Sequence, residues 1–126
     1  NVTMLGPVST EDKARLFRDC RAFLFPSLSE GFGLPVVEAM CFGKPTFLSR
    51  LTSLPEVGGD AAYYFDELHP AQMAQTVRAG LADFDRQRSD REAAIRANAG
   101  RFDWDKTARA FIDYYLSILQ IKSIEL

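Results

Sequence analysis

The sequence predicts an α/β domain built on a parallel, doubly wound sheet, and three features carry that expectation. Ala22 to Phe25, Pro45 to Ser49 and Ala62 to Phe65 are short, solid apolar runs, the pattern of strands buried on both faces. Helical segments alternate with these runs, which calls for crossover connections and a parallel sheet. The last half of the chain has the 3.6-residue apolar rhythm of helices.

Each element has its own signal. Val2 to Leu5 reads as a further short strand, ended by Gly6-Pro7. Ser9 sits at an N-cap, with Glu11 and Asp12 in the first turn, where the helix dipole favours carboxylates. Ala14, Phe17 and Cys20 then set a helix over 10–20. Pro26 ends the strand at 22–25, and a loop runs from Ser27 to Gly33. Pro35 suits the start of a short, nearly all-apolar helix over 34–42, which Gly43 stops. Met73, Val77, Leu81 and Phe84 line one face of an amphipathic helix. Ile95 and Phe102 mark a second helix over 88–101, and Ala108, Phe111, Ile112, Tyr115 and Leu119 a third over 105–120. Residues 1–66 thus form a sheet portion and 67–126 a helical portion of one domain.

Composition narrows the function. The 126 residues are 47% hydrophobic and 25% charged, with a net charge of −2, and no basic stripe suggests nucleic acid. Alternating arginines and carboxylates between Asp83 and Arg101 read as a solvated helix face. Cys20 and Cys41 share no metal-ligand spacing and read as buried free thiols in a reducing compartment. With no run long enough to cross a bilayer, the expected location is cytoplasmic. The opening at Asn1, in mid-strand, suggests a piece of a longer polypeptide with an incomplete sheet.

The informative segment is Glu30-Gly31-Phe32-Gly33-Leu34-Pro35-Val36-Val37-Glu38. It follows a buried strand and leads into a helix, where open α/β sheets bind ligands. Free N–H groups at the helix start suit a phosphate, and Gly31 and Gly33 leave the backbone of residues 31–34 bare for close approach. Two carboxylates would repel a bare anion, yet they accept hydrogen bonds from vicinal hydroxyls. Glu30 and Glu38 can bracket a ligand with a diphosphate at its centre and polyols at both ends, the shape of a nucleotide sugar. Taken singly, Glu38 could merely complement the helix dipole, and Glu30 could be an ordinary loop carboxylate. Their order and spacing favour the binding reading.

The segment through Ala39-Met40 closely resembles the Glu-x7-Glu signature of retaining GT-B glycosyltransferases of the family 4 type. The likeness extends to Val2-Thr3-Met4-Leu5-Gly6-Pro7-Val8, Gly43-Lys44-Pro45-Thr46, Leu54-Pro55-Glu56-Val57 and Phe102-Asp103-Trp104. It implies the C-terminal, Rossmann-like donor domain of such an enzyme, which moves a hexose from a nucleotide sugar to a saccharide or lipid-linked acceptor with retention. By that resemblance Glu30 contacts the transferred sugar near the reacting centre, Gly31, Phe32, Gly33 and Leu34 hold the sugar and diphosphate through their amides, and Glu38 binds the ribose. The Val8 main chain lies beside the base.

The family's basic diphosphate clamp and its acceptor-binding domain lie upstream of the matching residues. The chain alone is therefore expected to be inactive, and the intact enzyme metal-independent, with a possible peripheral place on the cytoplasmic membrane face. The alternative is a non-catalytic nucleotide-sugar-binding module. His69 reads as a surface or cap residue; Trp104, Tyr114 and Tyr115 read as core. The last helix could instead pack against the acceptor domain, leaving a face prone to dimerise in isolation.

Overall fold

The computed structural model describes residues 2–119. Three parallel strands lie in the order β1-β2-β3: Phe23–Phe25, Thr46–Ser49 and Tyr63–Phe65. Phe25 pairs with Leu48, and Phe47 with Tyr63. β2 is the central strand, and all four of its residues are buried.

Side-chain alternation sends Phe23, Phe25 and Leu48 to one face of the sheet and Leu24, Phe47, Tyr63 and Phe65 to the other. Helices cover both faces, as the doubly wound class requires. On the first lie α2 (Leu34–Cys41) and the short α3 (Leu54–Gly58), with α5 (Arg88–Ala99) packed against α2. Val36, Met40, Leu48, Leu54, Val57 and Ile95 are sealed between them. α4 (Pro70–Arg86) covers the second face, where Gly80 meets the Phe47 ring and a side chain would not fit. A 3-10 turn, Gly59–Ala61, joins α3 to β3.

α1 (Thr10–Asp19) begins as its sequence dictates: the Ser9 hydroxyl accepts from the Asp12 N–H at 3.1 Å. Its single buried residue, Phe17, meets Phe23 edge-on at 5.3 Å and stacks on Phe42 at 6.3 Å. Gly33 precedes α2 at φ 103°, and Gly43 turns the chain after it at φ 70°.

Several expectations are corrected. Residues 2–5 form no strand: among the described residues they pair with none, and Val2 and Met4 are about nine-tenths exposed, at 89% and 91%. An extended segment without a ladder partner gains none of the hydrogen bonds that define a strand. Cys20 is only half-buried and Cys41 is exposed, so neither is a buried thiol, though both are free. α6 (Trp104–Leu119) has no buried residue, and Trp104, Tyr114 and Tyr115 are 78%, 61% and 59% exposed rather than core. Residue 120 of the expected last helix lies outside the described residues. The arginine-rich stretch is more than a solvated face. Arg91 lies over the Tyr63 ring and Arg88 over Phe84, so their guanidinium groups roof aromatic side chains.

Candidate functional site

The loop from Pro26 to Gly33 leaves the carboxyl end of β1, and residues 50–53 leave that of β2 beside it. Hydroxyls of the second segment hold the main chain of the first. Ser49 Oγ donates to the Ser27 carbonyl at 2.5 Å, and Ser53 Oγ to the Phe32 and Glu30 carbonyls at 2.9 and 3.4 Å. The Glu30 N–H donates to Thr52 Oγ1 at 3.1 Å. Thr52 adopts φ 51°, a left-handed conformation costly for a β-branched residue, and in it meets the Glu30 amide.

Glu30 is therefore held by its backbone on both sides while its carboxylate, among the described residues, has no hydrogen-bond or ionic partner. The N–H groups of Gly31, Phe32, Gly33 and Leu34 likewise donate to no acceptor among the described residues. They lead into the first residue of α2, where the unpaired amides and the helix dipole favour negative charge. Gly31 is not in a left-handed conformation, and an added Cβ there would meet nothing within 4 Å. Gly33 differs: at φ 103° its Cβ would lie 3.0 Å from Leu54. One glycine is required by the fold, and the other stands in open space.

Glu38 lies one turn into α2. It is half-exposed, and its Oε1 accepts from Lys13 Nζ at 2.6 Å. Phe32 and Leu34 are exposed at the site. The Phe32 ring meets Phe102 edge-on at 5.4 Å, beside a cleft of about 330 Å³ that Leu34, Val37 and Trp104 also line. Val8 lies in the irregular segment before α1, in a separate open concavity with Pro7, Asp12 and Arg15. Glu30, Gly31, Phe32, Gly33, Leu34 and Glu38 thus occupy one loop and one helix start. Val8 lines a concavity that none of them shares. His69 precedes α4, exposed and without a capping bond.

Sequence reasoning missed Lys13, Ser49, Thr52 and Ser53. Lys13 had no signal, because its partner is 25 residues away. The hydroxyls had a weak one: small polar residues directly after a strand are placed to tie down the next turn. Among the described residues no three His, Cys, Asp or Glu side chains gather as a metal site would need. Among them too, no helix is long and apolar enough to cross a membrane.

Comparisons with known proteins meet this geometry. Residues 1–99 match the family model described as glycosyl transferases group 1. The chain is 38% identical over 114 residues to the O-antigen chain mannosyltransferase B of Escherichia coli, covering 90% of this chain and 30% of that protein. It is 36% identical over 115 residues to the serotype-specific mannosyltransferase WbdA of the same organism, covering 91% and 14%. A D-inositol 3-phosphate glycosyltransferase of Corynebacterium kroppenstedtii is 34% identical over 116 residues, covering 90% and 26%. The chain spans less than a third of the length of these relatives. With its parallel Rossmann-like sheet and a family match that spans every strand, the chain belongs to the group 1 glycosyl transferases.

Proposed function

We propose that this chain is the donor-binding part of a retaining GT-B glycosyltransferase of the family 4 type, with Glu30 to Glu38 as its Glu-x7-Glu motif. The observation that carries this is the combination at one loop: a backbone-clamped carboxylate at Glu30 without a partner, followed by free amides at residues 31–34. A diphosphate fits the amides, which offset the charge that develops on it as the glycosidic bond breaks. Glu30 accepts hydrogen bonds from hydroxyls of the transferred hexose, and Glu38 from those of the ribose. The base lies against the main chain at Val8. No metal is required in this scheme, because amides and the upstream basic residues of the family supply the compensating charge.

The acceptor is a saccharide or lipid-linked sugar, bound across the cleft by a preceding domain. The enzyme works in the cytoplasm, in polysaccharide assembly. Several relatives are named as mannosyltransferases, which makes a mannosyl donor the first to test. The decisive experiment is Glu30→Gln in the full-length enzyme, with turnover measured at saturating donor. A loss of about 100-fold is expected, the scale on which single preorganised contacts act. Turnover at the wild-type rate would remove Glu30 from the reacting centre. Ligand-observed NMR with UDP, GDP, ADP and their hexose conjugates tests binding itself, and silence at millimolar concentration would defeat the reading.

A further inference from the structure

α1 and α2 meet through two matched rungs. Lys13 and Phe17 are one turn apart on α1, and Glu38 and Phe42 are spaced alike on α2 and its C-cap. Phe17 stacks on Phe42 with ring centroids 6.3 Å apart, and Lys13 Nζ contacts Glu38 Oε1 at 2.6 Å. Both rungs join residues 25 apart, so the helices run in the same direction and in register. This aromatic rung, in which Phe17 is buried and Phe42 half-buried, fixes the rotation of α1 and with it the side from which Lys13 emerges. Surface ion pairs are ordinarily weak because two flexible side chains must be held together. Here much of that ordering is imposed by Phe17, which also meets Phe23 of the sheet. Among the described residues Lys13 has no other carboxylate within 4.0 Å: its neighbour Asp12 turns to Ser9 and Arg15.

We propose that Lys13 is a positioning residue for nucleotide binding: it holds Glu38 Oε1 and thereby aims the remaining oxygen of the carboxylate at the ribose hydroxyls of the donor. This rests on the ribose role given to Glu38 above. A carboxylate offers about four lone-pair sites, so one ammonium contact leaves room for two vicinal hydroxyls. Fixing the Glu38 side chain before the ligand arrives removes an ordering cost from binding. The ammonium contact also keeps Glu38 from swinging toward the free amides at residues 31–34, where it would compete with the diphosphate. Lys13 thus serves the discrimination between a ribose and a sugar without those hydroxyls.

The test uses the full-length enzyme and calorimetric titration with UDP, GDP and ADP, each beside its 2′,3′-dideoxy analogue. Glu38→Gln is expected to weaken the preferred ribonucleotide and to leave its dideoxy analogue unchanged. Lys13→Met should weaken the ribonucleotide roughly 5- to 10-fold, a typical coupling between neighbouring groups. It should leave the dideoxy analogue alone and add nothing in a Glu38→Gln background, while Lys13→Arg stays close to wild type. Equal weakening of ribo- and dideoxynucleotide by Lys13→Met would overturn the proposal, since the lysine would then act on the phosphates or on the fold. A lowered melting temperature with unchanged nucleotide selectivity would also overturn it, leaving only an interhelix tether. If Glu38→Gln weakens the ribonucleotide and Lys13→Met does not, the lysine has no part while the ribose reading stands. If neither variant separates ribo- from dideoxynucleotide, the ribose reading of Glu38 fails first.

Discussion

Two glycines of the candidate loop, two residues apart, make opposite demands. Gly33 is held at φ 103° with Leu54 3.0 Å from where a Cβ would stand, so Gly33→Ala should cost about 1–2 kcal/mol of stability. Chemical denaturation of the variant checks this. Gly31 has open space around its Cα and no unusual backbone angle, so Gly31→Ala should leave stability within about 0.5 kcal/mol. Under the proposed function its methyl group would stand where the diphosphate approaches, and donor KM should rise while the denaturation midpoint stays. A Gly31→Ala enzyme with unaltered donor KM would count against amide contact at that residue. The hydroxyl braces were hard to foresee for a physical reason. Thr52 and Ser53 act on main-chain atoms more than 20 residues away, and such contacts follow from how two strands are placed.

At the scale of elements, helix placement rests on a few tight approaches. Gly80 lets α4 lie on the sheet, and a Cβ there would sit 2.5 Å from a Phe47 ring carbon. Alanine would gain up to about 1 kcal/mol in helix propensity. Phe47 is fully buried and stacked between Tyr63 and Phe65, so it cannot retreat. Overpacking should win, with Gly80→Ala destabilising by about 1–3 kcal/mol in thermal melts. α5 is tied to α3 by Asn98, a buried side chain whose Nδ2 donates to the Val57 carbonyl at 2.9 Å. Asn98→Ala should lose about 1–3 kcal/mol, because that carbonyl is left buried without a donor.

Elements were legible in the sequence where they carry their own signal. The runs at β1 and β3 are apolar or aromatic, β2 sets Phe47 and Leu48 between two small hydroxyl residues, and Ser9, Gly33 and Gly43 mark helix ends by chemistry that does not depend on the fold. Val2 to Leu5 looks much the same as those runs, yet an extended segment becomes a strand only beside a neighbour, and among the described residues it pairs with none. α3 went unassigned because five residues with a proline and a glycine are too few to show a period. The aromatic face of α6 reads as core by pattern alone, since periodicity reveals amphipathicity but not what covers it. The candidate loop could be found because Glu30, its glycines and Glu38 are contiguous. The Lys13–Glu38 contact could not.

For the molecule as a whole, stability should depend on pH at both extremes. The Tyr63 hydroxyl, donating to Asp83 at 2.9 Å, holds that carboxyl below the usual aspartate range, with Arg86 assisting. Arg21 does the same for Asp85, by hydrogen bond and then by charge. Both carboxylates are more acidic folded than unfolded, so their contribution is present above the ordinary aspartate value. It is lost as pH falls through that value toward the lowered ones. Burial pushes the Tyr63 and Tyr64 hydroxyls up, so theirs is intact below the ordinary tyrosine value and lost as pH climbs through the raised ones. Melting temperature against pH should show a plateau around neutrality with a fall on each side. Tyr63→Phe should make the acid limb shallower and reduce the alkaline one, because it removes both a titrating phenol and the main hold on Asp83. An unchanged acid limb would show that the Tyr63 contact does not govern Asp83.

The braces on the candidate loop have a bearing on how such a site can diversify. Ser49, Thr52 and Ser53 grip carbonyls and an amide, main-chain atoms that every residue type but proline supplies in the same place. At these contacts the scaffold therefore reads the path of the loop rather than its side chains, and Gly33, held by its backbone conformation, is the exception. Exposed positions such as Leu28 and Ser29 are free to change while the geometry beneath them is inherited unchanged.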